Sequence, residues 1–179
     1  NARLEFEELR TVDIVDEMGE SAKVVVGRLA EVRFVDVNTG IVLSTHNVPY
    51  GSTLYVSDGD LVEKGKLIAK WDPFNAVIIT EATGKIEFEG VIENVTYKVE
   101  SDEATGLREI IIIESKDKTK VPTAHILTED GDLIRTYNLP VGGHVIIENG
   151  QKVKAGEVIV KIPRAVGKAV SYTHLTLPT

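Results

Sequence analysis

Short runs of β-branched residues punctuate the chain: Val24-Val25-Val26, Val77-Ile78-Ile79-Thr80, Ile110-Ile111-Ile112-Ile113 and Val158-Ile159-Val160-Lys161-Ile162. Such residues favour pleated surfaces, and each run has the length of a strand. Turn-forming clusters fall between them: Asn38-Thr39-Gly40, Ser57-Asp58-Gly59, Asp130-Gly131 and Asn149-Gly150. No long segment repeats its apolar positions every 3.6 residues. The pattern predicts an all-β protein. Alternation suggests the inward face: Leu67, Ala69 and Trp71 share one parity, as do Val158, Val160 and Ile162. Lys70 and Lys161 take the opposite parity, so a slip of one residue would drive both lysines into the core.

The chain also repeats itself. Residues 47–70 read NVPYGSTLYVSDGDLVEKGKLIAK and residues 138–161 read NLPVGGHVIIENGQKVKAGEVIVK, 91 positions on and without a gap. Asn47, Pro49, Gly51, Gly59, Val62, Gly65 and Lys70 recur as Asn138, Pro140, Gly142, Gly150, Val153, Gly156 and Lys161. Most of these are turn formers, which points to two copies of a small β-module. Gly51, Gly59, Gly65, Gly142, Gly150 and Gly156 are therefore assigned to structural turns. Upstream, Arg3-Leu4-Glu5-Phe6-Glu7 matches Lys85-Ile86-Glu87-Phe88-Glu89 at an offset of 82, so the second copy holds nine extra residues. The stretch SKDKTKVP at 115–122 is the expected place for them. Copy one then runs from about Arg3 to Pro73 and copy two from about Lys85 to Pro163, with a strand in the bridge at 74–84. The domains are set at 1–82 and 83–169, with a tail at 170–179.

Composition narrows the function classes. A net charge of −8 in 179 residues argues against a general nucleic-acid or anionic-membrane surface. There is no cysteine, so thiolate chemistry and disulfides are excluded and a cytoplasmic setting is expected. No apolar run approaches the roughly 20 residues of a membrane helix. The chain opens at Asn1 without a Met and reads as a piece of something longer.

Candidate chemistry is sparse. Asp58-Gly59-Asp60 could suggest a metal loop, but its counterpart Asn149-Gly150-Gln151 lacks both carboxylates, so a turn is expected. His46, His125 and His144 have no metal-ligand spacing. No catalytic, cofactor-binding or metal-binding residue is assigned. Asn94-Val95-Thr96 fits a glycosylation pattern and is taken as incidental, and the basic run at 115–120 is taken as a solvated loop. Residues 1–20 carry seven acids against two bases, and residues 86–109 carry the same count; these equivalent acidic stretches are taken as solubilising, with docking onto basic surfaces of a partner as the alternative. Trp71 and Phe74, in a loop with Pro73, are the possible interface residues; the parity of Trp71 favours core packing.

The Gly-x-x-Val-x-x-Gly run at 59–65, followed by a strand, resembles barrel–sandwich hybrid modules, including biotinyl and lipoyl carriers. Carriers display a lysine in the next hairpin, where this chain has Trp71-Asp72-Pro73-Phe74-Asn75-Ala76 and, in copy two, Ile162-Pro163-Arg164. Lys85 reads as an exposed lysine ahead of a strand. A stand-alone carrier or binding module of this type is the alternative reading.

The fuller text is more specific. Residues 38–89, SDEATGLREIIIIESKDKT at 101–119, YNLPVGGHVIIENGQKVKAGE at 137–157 and IPRAVGKA at 162–169 resemble the largest subunit, β′, of bacterial RNA polymerases. In that family these segments form an insertion within the trigger loop. The resemblance implies two tandem sandwich–barrel hybrid modules and a part of a nucleotidyltransferase that is itself non-catalytic. It implies a role in elongation, pausing or transcript cleavage. It also implies partners within the β′ and β subunits, no cofactor in this segment, and Mg and Zn held elsewhere in the polymerase. Direct nucleic-acid or membrane contact is not predicted, and the segment alone is expected to be monomeric. The family's Asn-Ala-Asp-Phe-Asp-Gly-Asp metal motif is not in this chain. After Ala169 the family continues with a Gly-Asp-Ile-Thr-Gly-Gly-Leu-Pro-Arg type of segment. Here Val170–Thr179 departs from it, so the tail, with His174, is read as foreign or unstructured.

Overall fold

The computed structural model describes residues 1–101, 106–164 and 174–176. Within them the protein is all-β, without helix, and so without a helix able to cross a membrane. It divides into two compact units. The first holds Asn1–Pro73 and also the short strand at 174–176; the second begins at Phe74 and runs to Arg164. Only that strand of the 170–179 tail lies among the described residues.

The strands of the first unit are β1 (Ala2–Glu7), β2 (Thr11–Val15), β3 (Ser21–Val25), β4 (Glu31–Asp36), β5 (Val42–Asn47), β6 (Thr53–Leu54), β7 (Leu61–Val62) and β8 (Leu67–Lys70). Those of the second are β9 (Asn75–Ile79), β10 (Gly84–Glu89), β11 (Tyr97–Ser101), β12 (Arg108–Ile112), β13 (Thr123–Leu127), β14 (Leu133–Asn138), β15 (His144–Val145), β16 (Lys152–Val153) and β17 (Val158–Pro163). The C-terminal strand β18 is His174–Thr176.

Each unit contains two antiparallel sheets of the same plan. A four-stranded sheet runs β5-β4-β1-β7 in the first unit and β14-β13-β10-β16 in the second. A five-stranded sheet runs β2-β3-β6-β8-β18 and β11-β12-β15-β17-β9. The strand break after Pro73 assigns β9 to the second unit, because it pairs along β17 from Asn75↔Pro163 to Ile79↔Val158. Lys85 lies within β10 and is exposed.

The nine extra residues of the second copy are gathered only in part at 115–122: across the loop that holds this stretch the offset rises by five, from 87 at Ser21 and Arg108 to 92 at Glu31 and Thr123. The offset between equivalent strands grows from 82 at Ala2 and Gly84 to 86 at Thr11 and Tyr97, 87 at Ser21 and Arg108, and 91 at Val42 and Leu133. About half of the added length therefore lies between β10 and β11. The buried Thr96 pins that loop: its hydroxyl donates to the Gly90 carbonyl at 2.7 Å and accepts the Ile92 N–H at 2.8 Å. The Asn94-Val95-Thr96 pattern thus supplies an internal anchor, and Asn94 has a positive φ of 64°.

Each unit has its own core. Leu4, Val25, Val32, Phe34, Leu54, Val62, Ile68 and Ala69 form one; Ile86, Ile112, Ala124, Ile126, Val145, Val153, Ile159 and Val160 form the other. Lys70 and Lys161 face solvent, but the expected inward parity needs correction. Ile68 and Ile159 are fully buried beside Ala69 and Val160, while Leu67, Trp71, Val158 and Ile162 are half-buried. The cause is a register shift at the same place in both copies: Ile68 is skipped in the pairing of β8 with β18, and Ile159 in that of β17 with β9. An extra residue at a bulge bends the strand and breaks its alternation, so two neighbours enter one core.

Candidate functional site

The repeated glycines sit where backbone geometry demands them. Gly51, Gly59 and Gly65 have φ of 86°, 84° and 83°, and Gly142, Gly150 and Gly156 have 85°, 87° and 95°. L-side chains seldom adopt these values. The turns are also stitched to the neighbouring strand identically. Gly59 N–H donates to Leu4 C=O and Gly150 N–H to Ile86 C=O, both at 2.8 Å. In return Leu4 N–H donates to Asp60 C=O at 2.9 Å, and Ile86 N–H to Gln151 C=O at 2.8 Å.

The carboxylates of the Asp58-Gly59-Asp60 loop are used internally. Asp58 accepts the Phe6 N–H at 2.9 Å, and Asp60 accepts the Ser57 N–H at 2.8 Å. In the second unit Asn149 accepts the Phe88 N–H at 2.9 Å, and Gln151 accepts the Glu148 N–H at 3.0 Å. Neutral amides do the same work as the acids, so the geometry requires oxygen acceptors and not negative charge. Among the described residues no three His, Asp or Glu side chains gather into a possible metal site.

The histidines are separate. His46 packs edge-on against Phe34 with ring centroids 5.7 Å apart. His125 bridges Glu89 at 2.6 Å and Thr136 at 2.8 Å. His144 meets Glu109 at 3.0 Å. The hydroxyls beside His125 are those of Thr136 and, at 3.5 Å, Thr123. The side chain of His174 lies outside the described residues.

The surface carries the remaining candidates. Trp71 is half-buried at the end of the first unit and Phe74 is 51% exposed at the start of the second. The acids of residues 1–20 are spread over β1 and β2, which lie in different sheets, and the connections that follow them, and two are neutralised locally: Glu5 by Arg3 at 2.9 Å and Glu7 by Arg33 at 2.6 Å. In the second unit Glu100 pairs with Lys98, whose ammonium holds the Glu100 carboxyl below its ordinary pKa. The basic run at 115–120 is a solvated turn. Asp117 accepts from the Thr119 hydroxyl and N–H, which lowers its pKa, and Lys118 reaches Glu114 at 3.5 Å. Asp36 closes the turn after β4 by accepting the Asn38 and Thr39 N–H groups, and these donors, Thr39 foremost, lower its pKa.

A surface feature missed from sequence is aliphatic. Val42 and Leu43 are exposed at the start of edge strand β5, and Leu133 and Ile134 occupy the same place on edge strand β14. The signal lay in the 91-residue offset, which maps one pair onto the other, though the two stretches differ in residue identity.

No family model matches the chain. Curated relatives do. Over 173 residues it is 96% identical to the DNA-directed RNA polymerase subunit β′ of Bacteroides thetaiotaomicron, covering 97% of this chain and 12% of that protein. It is 64% identical over 171 residues to the β′ subunit of Parabacteroides distasonis and 50% identical over 171 residues to that of Flavobacterium johnsoniae. These matches cover 95% and 96% of this chain and 12% of each relative. The chain thus spans about an eighth of the length of the curated relatives it matches.

Proposed function

We infer that this chain, homologous over nearly its whole length to a segment of bacterial RNA polymerase β′ subunits, acts in transcription as a non-catalytic trigger-loop insertion. In this reading the parent enzyme is a nucleotidyltransferase of the cytoplasm. The chain contributes two sandwich–barrel hybrid modules that touch other parts of β′ and β. The observation that carries the reading is the pairing of that homology with a duplicated scaffold. The shared residues of the two copies are turn formers, and the candidate metal carboxylates Asp58 and Asp60 are already bonded to backbone N–H groups. The metal chemistry of nucleotidyl transfer needs clustered carboxylates and belongs elsewhere in the parent enzyme.

Modules joined to a mobile loop bias its open and closed states only through contacts that differ between them. A differential contact worth about 1.4 kcal/mol changes the population ratio about tenfold. The test deletes residues 3–167 from the parent subunit and rejoins the flanking helices with a short linker. Single-turnover nucleotide addition should survive, while pause lifetime, cleavage or elongation rate changes by a modest factor. Complete loss of addition in an assembled enzyme would place the insertion in catalysis itself. Unchanged pausing, cleavage and elongation would make it a passive spacer.

A further inference from the structure

The two units match strand for strand except in where their fifth strand comes from. In the second unit, β9 lies on the outer edge of β17 and leads directly into β10, four residues separating Ile79 from Gly84. In the first unit the equivalent edge, β8, is occupied by β18, from the far end of the chain. The registers agree: Leu175 stands opposite Ala69 as Ile78 stands opposite Val160, and His174 stands opposite Lys70 as Val77 stands opposite Lys161. Both pairings skip the equivalent isoleucine, Ile68 or Ile159. Two unrelated segments therefore fit one slot, as expected where recognition is by main-chain hydrogen bonds along an open strand edge.

We propose that the outer edge of Leu67–Lys70 is a strand-acceptor site, and that in the parent subunit its occupant is the extended segment running directly into Ala2. This rests on the reading of the chain as part of β′. The second unit describes the occupant. By the 82-residue offset that relates β1 to β10, the counterpart of Asn75–Ile79 ends five residues before Ala2, upstream of Asn1. It should be extended and place aliphatic side chains where Ile78, packed against the second core, and the buried Ile79 stand. It should also bond the turn that follows. Thr80 accepts the Gly156 N–H at 2.7 Å and donates its own N–H to Glu157 C=O at 3.0 Å. The equivalent groups in the first unit are Gly65 N–H and Lys66 C=O. An acceptor edge of this kind is also a hazard, because an unfilled edge templates pairing with other chains. Filling it from the incoming chain closes the module as the chain enters it.

Amide hydrogen exchange across residues 65–70 tests the proposal in three chains, all ending at residue 169. One begins at Asn1. The second carries at its N-terminus the residues, about twenty in number, that precede the matched segment in the Bacteroides thetaiotaomicron β′ subunit. The third carries residues 74–83 of this chain joined directly to Ala2. Exchange at the amides of 65–70 not bonded to β6 should be fast in the first chain and slowed about tenfold or more in the second and third. Protection in the third alone would show a slot whose occupant is not the upstream segment, and would overturn the assignment. Equal exchange in all three would show that the edge takes no strand from upstream, and would overturn it too. Because the readout is pairing, it can succeed while the elongation assay fails, or fail while that assay succeeds.

Discussion

Asp58 and Asn149 hold the same backbone position 91 residues apart: each side-chain oxygen accepts a phenylalanine N–H, from Phe6 or Phe88, at 2.9 Å. One is charged and the other is not, so the bond and not the charge is what the turn needs. Asp58→Asn should leave the urea midpoint nearly unchanged. Asp58→Ala should cost about 0.5–1.5 kcal/mol, the net worth of one exposed-to-intermediate hydrogen bond. A large loss in the asparagine variant would show that the carboxylate charge has a role of its own.

Gly59 and Gly150 have open space or only the tip of Lys85 where a Cβ would go, so crowding is not what restricts them. Their φ of 84° and 87° is. Valine at either position should destabilise its unit by about 1–2 kcal/mol through backbone strain alone. Chemical denaturation of the two variants measures this, and unchanged midpoints in both would contradict the turn geometry.

Ile68 and Ile159 are fully buried at equivalent bulges, whereas Leu67 and Val158 beside them are half-buried. Ile68→Ala and Ile159→Ala should each cost about 2–5 kcal/mol, the range for a large-to-small change in a core. Leu67→Ala and Val158→Ala should cost clearly less. The reverse order in thermal melts would restore simple alternation along both strands.

The lowered pKa of Asp36 comes first from the Thr39 N–H and then from the Asn38 N–H. A depressed carboxylate stabilises the fold above its unfolded pKa, about 3.9 for aspartate, and loses that contribution as pH falls through the folded value. The stability difference between the parent chain and an Asp36→Asn variant should therefore be flat from neutral pH to about 5, and should shrink below about 4. A difference that instead grows on acidification would reverse the assigned sign.

Much of this protein follows from local chemistry. Gly59 and Gly150 lie in turns because only a residue without Cβ holds their φ at little cost, and Asn38-Thr39-Gly40 turns between β4 and β5 for related reasons. β-Branched runs became strands, and the 91-residue repeat foretold two sheets of each kind because equal strings fold alike. Sequence also led to the β′ family through its wording, a resemblance that the curated relatives bear out. Other features depend on pairing between distant segments. Whether Ile68 or Leu67 enters the core is set by a bulge against a strand more than a hundred residues away. About half of the extra length of the second copy lies between β10 and β11, where the buried Thr96 hydroxyl finds partners at Gly90 and Ile92. That β9 and β18 fill matching edges could be seen only once both sheets were assembled. Main-chain hydrogen bonds along an edge accept many sequences, and so leave almost no mark on any one of them.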